Sequence, residues 1–262
     1  MDVLYGLHPV EEAIRSGARR LDHVSFSRDR RDAKLEKLAE LCRTKGIRMT
    51  SEPREQLTRM ARTEMHQGVV AFLAERQFLA VEDLLQPKPA GEHRFFLALD
   101  GVEDPHNLGA LLRSADGAGV DGVIIPERRA APLTATVAKS SAGASEHIRI
   151  ARVTNLVRAI ERLKESNIWA IGLDERGTMG YTDFDFRTDC VLILGSEGAG
   201  LHDLARKTCD HLLRIPMAGS VSSLNVSVAG AVVMYEAMRQ RRTTAIAPPK
   251  PAAPKPRKGL GS

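Results

Sequence analysis

Residues 95–126 read FFLALDGVEDPHNLGALLRSADGAGVDGVIIP, and this stretch decides the fold. FFLALD (95–100) and GVIIP (122–126) are short and almost wholly apolar, the pattern of strands buried on both faces. Between them, LGALLRSADGAG (108–119) places Leu108, Leu111, Leu112 and Ala115 at i, i+3, i+4 and i+7, the stripe of an amphipathic helix. Asn107 stands where a helix cap is expected. Strand, helix, strand is the unit of a parallel sheet, because parallel neighbours need a crossover long enough to hold a helix.

The rhythm continues towards the carboxyl end. HIRIARV (147–153), WAIGLD (169–174), CVLILG (190–195) and LLRIPM (212–217) read as further strands, and TNLVRAIERLKESN (154–167), LHDLARKTC (201–209) and NVSVAGAVVMYEAMRQRR (225–242) as helices. The expected fold class is therefore α/β, a parallel sheet covered by helices over residues 94–242. Upstream, residues 1–78 alternate helical patterns (HPVEEAIRSG, AKLEKLAELCRTKG, PREQLTRMAR) with extended ones (DHVSFS, IRMTS, GVVAFLAE), which predicts a second, small α/β domain. LAVEDLLQPKPAGEH (79–93), with Pro87, Pro89 and Gly91, reads as the linker between the two. Residues 243–262, rich in Pro, Ala and Lys and without periodicity, read as a disordered basic tail.

Charge is distributed unevenly. The net value of +5 divides into +3 over residues 1–78, −4 over 79–240 and +6 over 241–262. A polyanion held by the flanks around a less basic centre fits that division. Three cysteines, Cys42, Cys190 and Cys209, suggest neither a disulfide framework nor a four-cysteine zinc site, and point to a reducing, cytoplasmic setting. No apolar run approaches the roughly 20 residues that span a bilayer, and the first residues lack the pattern of a secretory leader, so no membrane partner is expected. The eight histidines show no zinc-ligand spacing, and no metal is expected.

Ligands of parallel sheets gather beyond the carboxyl ends of the strands. Three loops leave such ends here. The first carries Asn107 and Arg113, the latter off the apolar stripe; taken singly, these are a cap and a solvated charge. The second, GSEGAG (195–200), surrounds Glu197 with Gly195, Gly198 and Gly200. It is no phosphate-cradling P-loop, since no Lys follows, and no dinucleotide pattern, since Asp203 stands at the third glycine position. Glu197 also occupies the place of the serine in a nucleophile elbow. The third, AGSVSSLN (218–225), brings Ser222, Ser223 and Asn225 to a helix start, where capping alone accounts for them. It is the coincidence of three such loops at one end of one sheet that points to a site.

HNLGALLRSADGAG, LILGSEGAGL and IPMAGSVSSLNVSVAGAVVMYE together closely resemble, in order and spacing, the three motifs of the SpoU (TrmH) class of RNA ribose 2′-O-methyltransferases. YGLHPVEEAI and HQGVVA resemble the amino-terminal RNA-binding domain of the bacterial 23S ribosomal RNA guanosine 2′-O-methyltransferases, so that the resemblance spans about residues 4–241. It implies a SPOUT-like carboxyl-terminal domain with a deep trefoil knot, a homodimer, 23S ribosomal RNA as partner and S-adenosyl-L-methionine as cofactor. Matching positions imply backbone contacts to the cofactor at Gly195, Ile215 and Leu224, and catalytic or substrate-orienting roles for Asn107, Arg113, Glu197, Ser223 and Asn225. A transfer-RNA ribose methyltransferase of the same class and a non-catalytic RNA-binding assembly factor are the alternatives; a nicotinamide oxidoreductase is disfavoured by the missing glycine pattern.

Overall fold

The computed structural model describes residues 1–30 and 32–243, so the tail expected at residues 243–262 lies outside the described residues except for Thr243. The amino-terminal unit runs β1 (Asp2–Tyr5), α1 (Leu7–Ser16), β2 (Leu21–Ser27), α2 (Ala33–Thr44), β3 (Met49–Glu52), α3 (Arg54–Ala61) and β4 (Val69–Leu73). Its sheet has the order β1-β4-β2-β3, with β2 and β3 parallel and the other pairs antiparallel. β1 has no counterpart in the sequence reading. It is only four residues long and is made a strand by β4, distant in the chain, with Leu4 opposite Ala71.

After α4 (Val81–Leu84) come β5 (Phe95–Asp100), α5 (Pro105–Ala118), β6 (Gly122–Pro126), α6 (Ala135–Ser140), β7 (Ile150–Val153), α7 (Leu156–Glu165), β8 (Trp169–Leu173), β9 (Met179–Gly180), β10 (Cys190–Gly195), α8 (Asp203–Thr208), β11 (His211–Arg214) and α9 (Val226–Thr243). The sheet is parallel throughout, as expected, with the order β7-β6-β5-β10-β8-β11-β9. From β5 the chain builds outward through β6 to β7. It then returns past β5 to lay down β8, and later inserts β10 between the two. β5 and β10 therefore stand where the connections part in opposite directions, the place at which open parallel sheets form a crevice.

Both faces of this sheet are covered, which is why its strands read as unbroken apolar runs. In β5 the side chains of Phe95, Leu97 and Leu99 enter one core with the stripe of α5, Leu108, Leu111, Leu112 and Ala115, and with Val233, Met234 and Ala237 of α9. Phe96 and Ala98 enter the opposite core with Leu156, Ala159, Ile160 and Leu163 of α7. β10 alternates in the same way, with Leu192 and Leu194 on one face and Val191 and Ile193 on the other.

The stretch expected as a linker is partly built into the sheet. Leu79 donates to the carbonyl of Ile150 at 3.0 Å, and Val81 and Leu84 are buried against the core carrying α7. Two residues this apolar cover the β7 edge rather than stay in water. The two units also meet through a polar junction. Glu146, in a single 3-10 turn at Ala144–Glu146, is 3% exposed and pairs with both Arg19 and Arg76, while Arg19 also pairs with Asp2. Burial pulls the Arg76 guanidinium below its usual pKa, which the partnership with Glu146 only partly offsets. Removing one member of such a cluster leaves buried charge without compensation. Glu146→Gln should therefore cost about 3 kcal/mol of stability, read as a lower urea midpoint at pH 7; an unchanged midpoint would show the junction to be dispensable.

Candidate active site

Asp100 and Gly195 are register partners on β5 and β10, so the loops that follow them begin side by side. The helix after the first loop starts earlier than its apolar stripe suggests. Pro105 occupies the first turn and Asp104 caps it, accepting the N–H groups of His106 and Asn107 at 2.8 Å each. The reading of Asn107 as the cap is thus corrected: Asp104 satisfies the backbone, which leaves the Asn107 amide free to reach outward.

In the second loop Ser196 and Gly200 exchange reciprocal backbone hydrogen bonds of 3.0 Å, folding residues 196–200 back on themselves. A Cβ at Gly195 would lie 2.0 Å from the backbone carbon of Gly200, so no side chain fits there. The fold-back presents Glu197. At the third loop Asn225 does cap its helix, with Oδ1 accepting the Ser227 N–H at 2.9 Å. Its amide nitrogen stays available.

These three side chains close a triangle. The Asn107 Nδ2 donates to Glu197 Oε2 at 2.9 Å, and the Asn225 Nδ2 donates to Asn107 Oδ1 at 3.0 Å and to Glu197 Oε1 at 3.3 Å. Both carboxylate oxygens are engaged and both amides are locked in orientation by their partners.

The triangle stands between two cavities. The first, of about 550 Å³, lies between the ends of β8 and β10 and the returning chain, and Gly195, Glu197, Ile215, Ser223, Leu224 and Asn225 all line it. The second, of about 400 Å³, is lined by Asn107 and shares Ser196, Glu197 and Val226 with the first. Seven of the eight expected site residues therefore gather here. Arg113 does not. It lies on an exposed face of α5 and lines neither cavity. Six residues after Asn107, it stands about 120° around the helix from it.

Three polar residues escaped the sequence reading. His202, in the second cavity, is anchored by Asp100, which accepts its N–H at 2.8 Å and faces its Nδ1 at 3.0 Å. Gly101, at φ 84°, allows that ring to approach, since a Cβ there would lie 3.1 Å from His202 Cε1. Arg129 lies 3.5 Å from His202 Nε2. None of these belongs to a periodic or spaced pattern, so only the D-G turn after β5 could have signalled them. The cysteines take no part: burial pushes the Cys190 and Cys209 thiols up to about 12 and that of Cys42 to about 11. Among the described residues no three His, Cys, Asp or Glu side chains gather as a metal site, and no helix is long and apolar enough to cross a membrane.

The first cavity fits S-adenosylmethionine in size and in donor set. Leu173, Leu194, Ile215 and Leu224 offer apolar walls for a purine, and the backbone of residues 195–200 lines the same cavity.

Comparison with known proteins finds two families that match successive parts of the chain. The SpoU rRNA Methylase family matches residues 94–235, and the RNA 2′-O ribose methyltransferase substrate-binding family matches residues 3–79. The 23S rRNA (guanosine-2′-O-)-methyltransferase RlmB of Ralstonia nicotianae is 42% identical over 244 residues, covering 91% of this chain and 96% of that protein. A putative TrmH family tRNA/rRNA methyltransferase of Bacillus subtilis, YacO, is 42% identical over 92% of this chain and 96% of its own length. Among solved structures, the SpoU methyltransferase AviRb of Streptomyces viridochromogenes in complex with AdoMet superposes with a TM-score of 0.78 at 28% identity, over 92% of this chain and 90% of that one.

The fold-back at Gly195 supplies a direct test of the first cavity. Gly195→Ala should weaken S-adenosylmethionine binding at least about 10-fold in calorimetry, because the loop must open by more than an ångström to admit a methyl group. Unaltered affinity would place the cofactor elsewhere.

Proposed function

This chain belongs to the SpoU rRNA Methylase family, and from that premise we propose that it transfers a methyl group from S-adenosylmethionine to the ribose 2′-hydroxyl of a guanosine in 23S ribosomal RNA. The observation that carries the reading is the Asn107–Glu197–Asn225 triangle, which joins three distant loops into the wall between two cavities. Relatives at about 40% identity over nine-tenths of the chain that are named as 23S guanosine methyltransferases support the substrate.

In this reading the first cavity holds the cofactor and the second receives the target nucleotide. Bound S-adenosylmethionine supplies a methyl group made electrophilic by its sulfonium. The ribose hydroxyl is a poor nucleophile near neutral pH, so the protein must orient it and stabilise the charge that grows on its oxygen. Ser223 lines the first cavity beside Asn225 and supplies a hydroxyl that can both donate and accept. Glu197 and the two amides hold fixed positions without reorganising as the reaction proceeds. Arg113 is a fork-shaped donor of constant charge on the exposed face of α5, outside both cavities, and its part is to grip a phosphate of the target there.

The amino-terminal domain, residues 1–78, supplies further RNA affinity, in keeping with its match to the substrate-binding family. The reading also includes a cytoplasmic homodimer and a knot formed where residues 215–225 cross the 196–201 loop. For the dimer, support comes from α9, where Val228 and Tyr235, seven residues apart on one face, are 49% and 47% exposed.

Incubation with labelled S-adenosylmethionine and unmodified 23S RNA should place one methyl group on a ribose, mapped by pauses of reverse transcription at low nucleotide concentration. Arg113→Lys should lower turnover at least about 10-fold while leaving cofactor affinity intact, since a lysine cannot reproduce a bidentate grip; near-normal turnover would remove Arg113 from the chemistry. Tyr235→Glu should shift the sedimentation coefficient to that of a monomer, and a wild-type protein that sediments as a monomer would rule out the dimer.

A further inference from the structure

The first cavity contains a carboxylate that no motif residue accounts for. Asp174 follows β8 directly, and its side chain is only 2% exposed. Its backbone is pinned on both sides, the N–H donating to Leu213 O at 3.0 Å and the carbonyl accepting from Gly177 at 2.9 Å. One carboxylate oxygen, Oδ1, accepts the Arg176 backbone N–H at 2.9 Å and faces the Arg176 Nε at 3.3 Å. The other, Oδ2, is buried with no hydrogen-bond partner among the described residues. Asp174 is nevertheless a lining residue of the first cavity. A buried carboxylate oxygen without a protein donor is an arrangement that proteins rarely keep; a bound ligand or an ordered water completes it.

We propose that Asp174 Oδ2 accepts a hydrogen bond from a hydroxyl of the cofactor's ribose. This inference rests on the reading of the first cavity as the S-adenosylmethionine site. A hydroxyl is a better match than a second cation, because Arg176 already balances the charge of the carboxylate and what Oδ2 lacks is a donor. The placement has a physical parallel in dinucleotide-binding sheets, where an acidic residue holds ribose hydroxyls. Here β8 is the strand beside β10, so its end faces the turn at Gly195 across the cavity. The sequence lacks the glycine pattern of those folds, and the acid arises instead from the end of β8.

The test uses calorimetry of the full-length protein with S-adenosylhomocysteine and its 2′-deoxy and 3′-deoxy analogues. Wild-type protein should bind one of the two analogues about 10- to 100-fold more weakly than the parent, the loss expected for a hydrogen bond to a charged group. Asp174→Ala should bind the parent more weakly by a similar factor and show no additional loss with that analogue. Asp174→Asn, which keeps the shape of the side chain, should fall between the two. The proposal is overturned if Asp174→Ala binds the parent as wild type does, or if its loss with the deoxy analogue matches that of the wild type. Should wild-type protein bind S-adenosylhomocysteine not at all, the assignment of the cavity itself fails, an outcome separate from the other two.

Discussion

Three loops whose bridging residues lie up to 118 positions apart in the chain are held at one point by a carboxylate and two amides, Glu197 with Asn107 and Asn225. The rest of the site depends on that closure. Each of the three polar groups has had its backbone duties taken over or combined: Asp104 caps α5 in place of Asn107, Gly195 permits the turn that presents Glu197, and Asn225 caps α9 with its oxygen while its nitrogen bridges. A carboxylate that accepts from two oriented amides is fixed without an ion pair, and so keeps its charge available to whatever enters either cavity.

The sheet explains why these loops can meet at all. Inserting β10 between β5 and β8 sets the carboxyl end of one late strand beside that of the first, and the chain leaving β11 must cross back over those ends to reach α9. α9 packs against α5 in the same core as Leu192 and Leu194. The crossing segment is poor in buried side chains and rich in exposed ones.

The amino-terminal domain is attached by more than a tether. Leu79, Val81 and Leu84 extend the catalytic core, Ala138 of α6 is buried in the amino-terminal core, and Glu146 bridges two largely covered arginines from the other unit. A domain held in this way is fixed relative to the cavities.

Amino-acid order alone determined the fold class. Apolar runs set β5, β6 and β10, the i, i+3, i+4, i+7 stripe set α5, and the small-residue loops after β5, β10 and β11 marked where chemistry would lie, because each is written in local periodicity that burial enforces. Seven of the eight residues singled out by those motifs line the two cavities. The tertiary structure decided what periodicity cannot encode. β1 is a strand only because β4 lies beside it, Asn107 is a bridging amide only because Asp104 and Pro105 begin the helix earlier, and His202 and Asp174 enter the cavities only through the ends of strands that are neighbours in space. The position of Arg113 on the outer face of α5, away from both cavities, belongs to the same class. Local sequence sets which groups a segment can offer, whereas long-range packing sets which of them still need a partner.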